Sequence, residues 1–198
     1  MCRFIESIRI EDGRICRLRQ HMERCNRTRA AFWKEEPPVD LKQVVAVPSE
    51  KGIFKCRIVY GREIEEVTYT PYQMRQVNTL RLVVDDAVDY TYKSTDREGL
   101  NRLYARRDGA DDVLIVKDGR LTDTSIGNVA FFDGQKWYTP LHPLLKGTMR
   151  AFLIEHQVIE EKDILVADLG RYSKIMIFNA MIDWGSLCLP ADNLYGVL

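Results

Sequence analysis

Apolar positions along the chain follow two spacings, and the switches between them lay out the elements. Residues 3–10 (RFIESIRI) alternate apolar and polar, as a half-buried strand does, and Asp12-Gly13 followed by ICRL predicts a hairpin. From Leu18 to Trp33 the period lengthens. Met22, Cys25, Ala30 and Trp33 fall at helical spacing, with Arg19, Glu23, Arg27 and Lys34 on the wet face. Glu35-Glu36-Pro37-Pro38 ends that helix, because proline lacks a donor and its predecessor avoids the α region. GIFKCRIVYGREIEEVTYT then reads as two strands about a tight turn at Gly61.

Beyond Pro71–Asn78, the expected junction between an N-terminal lobe (1–75) and a C-terminal lobe (79–198), TLRLVVDDAVDYTY is strand-like. Thr95-Asp96-Arg97-Glu98 predicts a capping box opening a helix that carries Leu100, Leu103 and Tyr104 and stops near Gly109. DDVLIVK, NVAFF and KIMIFNAM are buried-strand runs, hairpin signals stand at Asp118-Gly119 and Asp133-Gly134, and a helix is expected from Gly147 to Gln157. The predicted class is mixed α+β, with no internal repeat.

Composition narrows the function. Apolar residues are 45% and charged residues 29% of the 198, as in ordinary globular proteins. Lys plus Arg equals Asp plus Glu at 29 each, so no basic surface draws the chain to nucleic acid or to anionic membrane. The longest apolar runs, VLIV and IMIF, are too short to span a bilayer, and MCRFIESIRIEDG has no signal-peptide core, so the expected location is the cytoplasm. Five scattered cysteines without a C-x-x-C, and three histidines without spaced partners, give no expectation of a disulfide framework or a metal site.

Three stretches could carry chemistry. Lys93 lies between an aromatic strand end (Tyr90, Tyr92) and the expected helix, where partial desolvation would lower its pKa and leave a nucleophilic amine; the plain alternative is a solvated surface lysine. Lys146-Gly147-Thr148-Met149-Arg150 follows a loop shaped by Pro140 and Pro143, and a helix start of this kind can bind phosphate through its N–H groups; it can equally be an ordinary helix start. Leu121–Asn128 (LTDTSIGN) is a polar stretch between buried strands. Asp123 and Asn128 are turn formers there, or a carboxylate set beside a cationic heterocycle.

In this order, these residues resemble the class IV pyridoxal-phosphate enzymes: branched-chain and D-amino-acid aminotransferases and 4-amino-4-deoxychorismate lyase. The resemblance covers most of residues 80–180, supported at the start by FIESIRIEDG and LRQHMER. It implies a small N-terminal α/β lobe, a larger barrel-like α/β lobe, a homodimer, and pyridoxal 5′-phosphate as cofactor for a small-molecule amino substrate. It implies that Lys93 is the Schiff-base lysine and proton carrier, and that Arg24 of the His21-x-x-Arg24 pattern grips the cofactor phosphate. Asp123, five positions before Asn128, matches the ring-nitrogen carboxylate, and Asn128 is implied as a cofactor-binding residue with it; Thr139, Pro140, Gly147 and Arg150 match the phosphate loop and helix start, with the Thr148 and Met149 N–H groups as donors. Asn179 and Ala180 match a late pair near the phosphate. Three departures stand out: Asp123 replaces the usual Glu, the chain is short before Lys93, and an arginine-bearing carboxylate trap is absent. Lys93-x-x-x-Arg97 and FNAM resemble the lyases, which favours pyruvate elimination to 4-aminobenzoate, a step of folate biosynthesis, over transamination. A non-catalytic scaffold of the same fold and a cofactor-free small-molecule binder are the rival readings.

Overall fold

The computed structural model describes residues 2–196. It forms two compact units, Met1–Met74 with Tyr92–Asp96, and Arg75–Thr91 with Arg97–Leu198. The segment carrying Lys93 packs with the first unit, whereas the sequence boundary assigns it to the second.

In the first unit β1 (Phe4–Glu11), β2 (Arg14–Ile15), β3 (Ile53–Tyr60) and β4 (Ile64–Pro71) form an antiparallel sheet of order β2-β1-β3-β4, with helix α1 (Leu18–Phe32). The first turn is the expected one: Asp12 and Gly13 take φ 46° and 83°, the left-handed pair that a two-residue hairpin needs. Because β2 pairs only with Ile10 and Glu11, the other end of that edge of β1 is open to residues 93–95. Ile5 N–H donates to the Lys93 carbonyl (2.9 Å), Thr95 N–H donates to the Arg3 carbonyl (3.0 Å), and Phe4 faces Ser94 across an antiparallel bridge. Tyr92 adds ring contacts to Phe4 and Phe32 at 6.0 and 4.9 Å.

Phe4, Ile8 and Ile10 of β1 pack with Cys25, Leu41, Val45, Cys56, Ile58 and Tyr60 in the unit's core. Of the apolar stripe predicted for α1, Cys25 is buried and Met22 and Trp33 pack half-buried on that core, while Ala30 is exposed. The helix also buries Gln20, His21, Arg24, Thr28 and Arg29. Polar side chains are tolerated there because they meet built partners: Arg29 donates to the carbonyls of Pro37 and Arg62, and His21 and Arg24 meet Glu6.

The second unit holds β5 (Leu80–Val84), α2 (Glu98–Ala105), β6 (Asp112–Lys117), β7 (Arg120–Thr124), β8 (Asn128–Phe132), β9 (Trp137–Pro140), α3 (Thr148–Glu155), β10 (Glu160–Lys162), β11 (Lys174–Phe178), β12 (Cys188–Pro190) and β13 (Leu194–Tyr195). Its strands run β10-β9-β8-β7-β6-β5-β13, with β11 on β8 and β12 on β11. The β6–β7 turn at Asp118-Gly119 has φ 50° and 72°, again the hairpin pair predicted. β7 meets β8 at one register pair, Asp123 opposite Asn128. That pair therefore joins the two runs of strands.

Two local expectations are corrected. The strand predicted through Tyr92 stops at Val84, because the Asp85 and Asp89 carboxylates accept the N–H groups of Ala87 and Thr91 and turn the chain away from the ladder. The capping box does not form. α2 starts after Arg97 with no side-chain cap, and the Thr95 hydroxyl instead donates to the Arg3 carbonyl at 3.3 Å. Met149 and Leu153 bury one side of α3 against Ala130, Ile159, Met176 and Phe178, each buried apolar side chain contributing about 1.5–3 kcal/mol. No helix among the described residues is long and apolar enough to cross a membrane.

Candidate active site

Within the first unit, Lys93 is half-buried, and its carbonyl accepts the Ile5 N–H of β1. Paired residues of antiparallel strands share a face, so Ser94 lies on the face of Phe4 and Glu6. Lys93 lies on the opposite face with Ile5 and Ser7. α1, with Arg24, packs on the Glu6 face. The two residues that the motif pattern links are thus on opposite faces of one sheet.

Arg24 is held by Glu6, a residue that the motif reading passed over. Nε donates to Glu6 Oε1 at 2.9 Å and Nη2 to Oε2 at 2.5 Å, while His21 Nδ1 lies 2.5 Å from Oε2. Glu6 and His21 are fully buried, and Arg24 is 6% exposed. Burial alone would raise the Glu6 pKa; the Arg24 charge and the hydrogen bond and charge of His21 outweigh it and hold the carboxyl at about 2. Burial holds His21 below its usual value, against the opposing pull of Glu6. A neutral ring donating Nδ1–H to an ionised Glu6 satisfies both directions. The signal for Glu6 was in the alternation itself, which turns it inward between Phe4 and Ile8.

In the second unit, Asp123, Asn128 and Gly147 come together. Asn128 Nδ2 donates to Asp123 Oδ1 and to the Leu145 carbonyl, each at 2.8 Å, and Leu145 N–H donates to Asp123 Oδ2 at 2.8 Å. The buried Asp123 carboxyl is pushed up to about 6 by desolvation, against the stabilising Leu145 N–H, the Asn128 amide and the Arg150 charge. A β-carbon at Gly147 would lie 2.0 Å from Asn128 Oδ1, so only glycine fits there. α3 starts directly after Gly147 with no side-chain cap and no acidic residue in its first turn, and Thr148 and Met149 are buried. Thr139 donates its hydroxyl to the Val129 carbonyl, and Arg150 donates to the Pro140 carbonyl and Glu161; both brace the loop leading to α3.

The turn that links Asp123 to Asn128 is pinned by its neighbours. Arg97 Nη2 donates to the Ser125 carbonyl at 2.7 Å, and its guanidinium lies 5.7 Å from the Tyr90 ring centre. Asn179 Nδ2 donates to the Ile126 carbonyl at 2.9 Å, while its Oδ1 accepts from the N–H groups of Met181 and Ile182. The Asn179 amide thus ties the end of β11 to this turn, with half-buried Ala180 beside it. Among the described residues, no group of three or more His, Cys, Asp or Glu could hold a metal ion.

The amino-transferase class IV family profile matches residues 3–188. An uncharacterized protein of Haemophilus influenzae is 36% identical over 180 residues, covering 89% of this chain and 96% of its own. The crystal structure of a Haemophilus somnus 129PT protein, provisionally named 4-amino-4-deoxychorismate lyase, superposes with a TM-score of 0.87 at 33% identity, covering 92% of this chain and 97% of that one. A hypothetical aminotransferase of Mycobacterium tuberculosis in its pyridoxal-phosphate-bound form shares the fold alone, with a TM-score of 0.76 at 21% identity, over 98% of this chain and 81% of that one.

Proposed function

Because the chain belongs to the amino-transferase class IV family, we propose that it is a pyridoxal-phosphate enzyme acting as a 4-amino-4-deoxychorismate lyase. The observation that carries the cofactor is the start of α3, uncapped, free of acidic residues in its first turn, and tied through Leu145 to a buried carboxyl at Asp123. N–H groups at a helix start whose first turn carries no acidic residue suit a phosphate. The resemblance assigns the aldehyde to the amine of Lys93 and the ring nitrogen to Asp123. Asp123 accepts from the Asn128 amide and from the Leu145 and Leu144 N–H groups, and a carboxylate with about four acceptor positions keeps one for the ring nitrogen. When bound, pyridoxal phosphate supplies an electron sink that weakens the bonds at the amine-bearing carbon of the substrate.

On this reading the Thr148 and Met149 N–H groups and the Thr148 hydroxyl bind the phosphate. Arg24, oriented by its two-point pair with Glu6, is a further phosphate ligand in the same proposal. Lys93 Nζ anchors the cofactor and then takes the proton from the substrate carbon that bears the amine. The C–O bond to the enolpyruvyl group on the adjacent carbon breaks, and the electron pair left by the proton closes the aromatic ring. The departing enolpyruvate gains a proton and becomes pyruvate, leaving 4-aminobenzoate. Arg97, steadied by Tyr90 and Ser125, is the residue proposed to receive a substrate carboxylate. The likeness to the Haemophilus somnus protein favours elimination over amino transfer.

The deciding assay supplies aminodeoxychorismate and measures 4-aminobenzoate and pyruvate, alongside a panel of L- and D-amino acids with 2-oxoglutarate. Stoichiometric formation of the two products supports the lyase. Amino transfer without 4-aminobenzoate replaces it with a class IV aminotransferase.

A further inference from the structure

Asn128 connects two features that the proposed chemistry treats separately, the Asp123 carboxyl and the start of α3. Its carboxamide has two N–H groups, and both are spent: one on Asp123 Oδ1, one on the Leu145 carbonyl. Asp123 Oδ2 takes the Leu145 N–H. Leu145 is therefore gripped at both its N–H and its C=O, as a residue is gripped by a neighbouring strand, but here by two side chains. The carboxamide oxygen fills the space beside Gly147 where a β-carbon would stand, 2.0 Å away. Nor can the backbone of Asn128 retreat. Asn128 pairs with Phe178 of β11, and a β-carbon on the preceding Gly127 would lie 2.6 Å from the Phe178 carbonyl oxygen.

We propose that Asn128 is a positioning residue that shapes the phosphate end of the site, clasping residues 145–147 so that the first N–H groups of α3 are held in one geometry, without itself touching the cofactor. The proposal rests on the reading of the α3 start as a phosphate site. The clasp acts through contacts that exist before any ligand binds. Asn128→Ala removes both donors and opens space beside Gly147; Gly147→Ala forces its new methyl against Oδ1 and displaces the clasp from the other side.

The test compares binding of pyridoxal 5′-phosphate and of pyridoxal, which lacks the phosphate, to the apo protein by absorbance or fluorescence titration. Asn128→Ala is expected to weaken pyridoxal 5′-phosphate at least tenfold and pyridoxal by a clearly smaller factor, the part that comes from the donor lost at Asp123 Oδ1. Gly147→Ala should give the same selective loss, and the double variant should lose less than the product of the two, because the methyl then occupies space that Asn128 has left. Without ligand, amide exchange across residues 145–148 should speed up in Asn128→Ala. Equal loss of both ligands would assign Asn128 to the ring or to the fold and overturn the proposal. Unchanged affinity for both overturns it as well. Should Asn128→Ala fail to fold, Gly147→Ala carries the same comparison. A wild-type protein that binds neither ligand refutes the pyridoxal-phosphate reading itself, whereas one that binds both without the selective losses refutes the clasp alone.

Discussion

Glu6 receives Arg24 through both carboxylate oxygens, at 2.9 and 2.5 Å, in a place where Glu6 has no exposed surface. Removing one partner of such a pair leaves the other charge buried and unpaired. Arg24→Ala should therefore destabilise the apo protein by about 3–5 kcal/mol in urea unfolding, more than the loss of one cofactor contact, about 1.5–3 kcal/mol, would cost the complex. The same pair sets an acid limb. With the folded carboxyl at about 2 and the ordinary value at 4.5, its stabilisation is complete above pH 4.5 and is lost as pH falls from there towards 2. His21 adds an earlier decline. Its folded pKa lies below 6.5, so the unfolded chain takes up the proton first and stability drops as pH falls through 6.5. Glu6→Gln should flatten the lower limb of a pH series of unfolding midpoints and leave the upper slope in place.

Asp123 works in the opposite sense. Its folded pKa stands at about 6 against 3.8, so ionising it in place costs stability, and the cost grows as pH rises from about 4 to about 6. At about 1.4 kcal/mol per pKa unit, the full swing is about 3 kcal/mol. In Asp123→Asn apo protein this slope should vanish from the unfolding midpoints between pH 4 and 7. With cofactor present, the same variant should keep pyridoxal phosphate bound but lose turnover, because a neutral partner no longer stabilises a protonated ring nitrogen. Undiminished turnover would remove Asp123 from the chemistry.

Lys93 gives its carbonyl to the Ile5 N–H of β1, and the two residues after it continue along that edge through the Ser94 bridge and the Thr95 N–H. Borohydride reduction of the loaded protein, followed by peptide mapping, should find the pyridoxyl mass on Lys93. A mass on Lys117, Lys146 or Lys174 would reassign the anchor. Lys93→Gln should lose the borohydride-stable adduct and the turnover together.

Gly127→Ala offers a purely steric prediction. The added β-carbon would meet the Phe178 carbonyl oxygen at 2.6 Å, backbone on both sides, so relief requires moving β8 from β11. A cost of about 1–3 kcal/mol is expected in urea. Gly170→Ala, with nothing within 4 Å of its β-carbon and no left-handed φ, should change little.

How much of this was legible in the chain follows from the range of each interaction. The Asp12-Gly13 and Asp118-Gly119 turns, the period-two strands and the helix after Gly147 are decided by residues within a few positions of one another, so the linear pattern determined them. It also carried the order of Lys93, Asp123, Asn128 and Gly147 along the chain, and the alternation already turned Glu6 inward, though nothing local says what it meets. The partners come from far away in sequence. Arg24 is buried rather than solvated because Glu6 lies 18 residues before it. Residues 93–95 join the first sheet because β2 leaves part of an edge of β1 open, which hydropathy does not report. The capping box at Thr95 failed for the same reason: its hydroxyl has a carbonyl partner at Arg3, 92 residues away. The sequence determined which polar and charged side chains stand at which positions along the elements. Only tertiary structure decided which of them are spent on holding one another, because a hydrogen bond in a buried site goes to whichever group the fold brings within 3 Å.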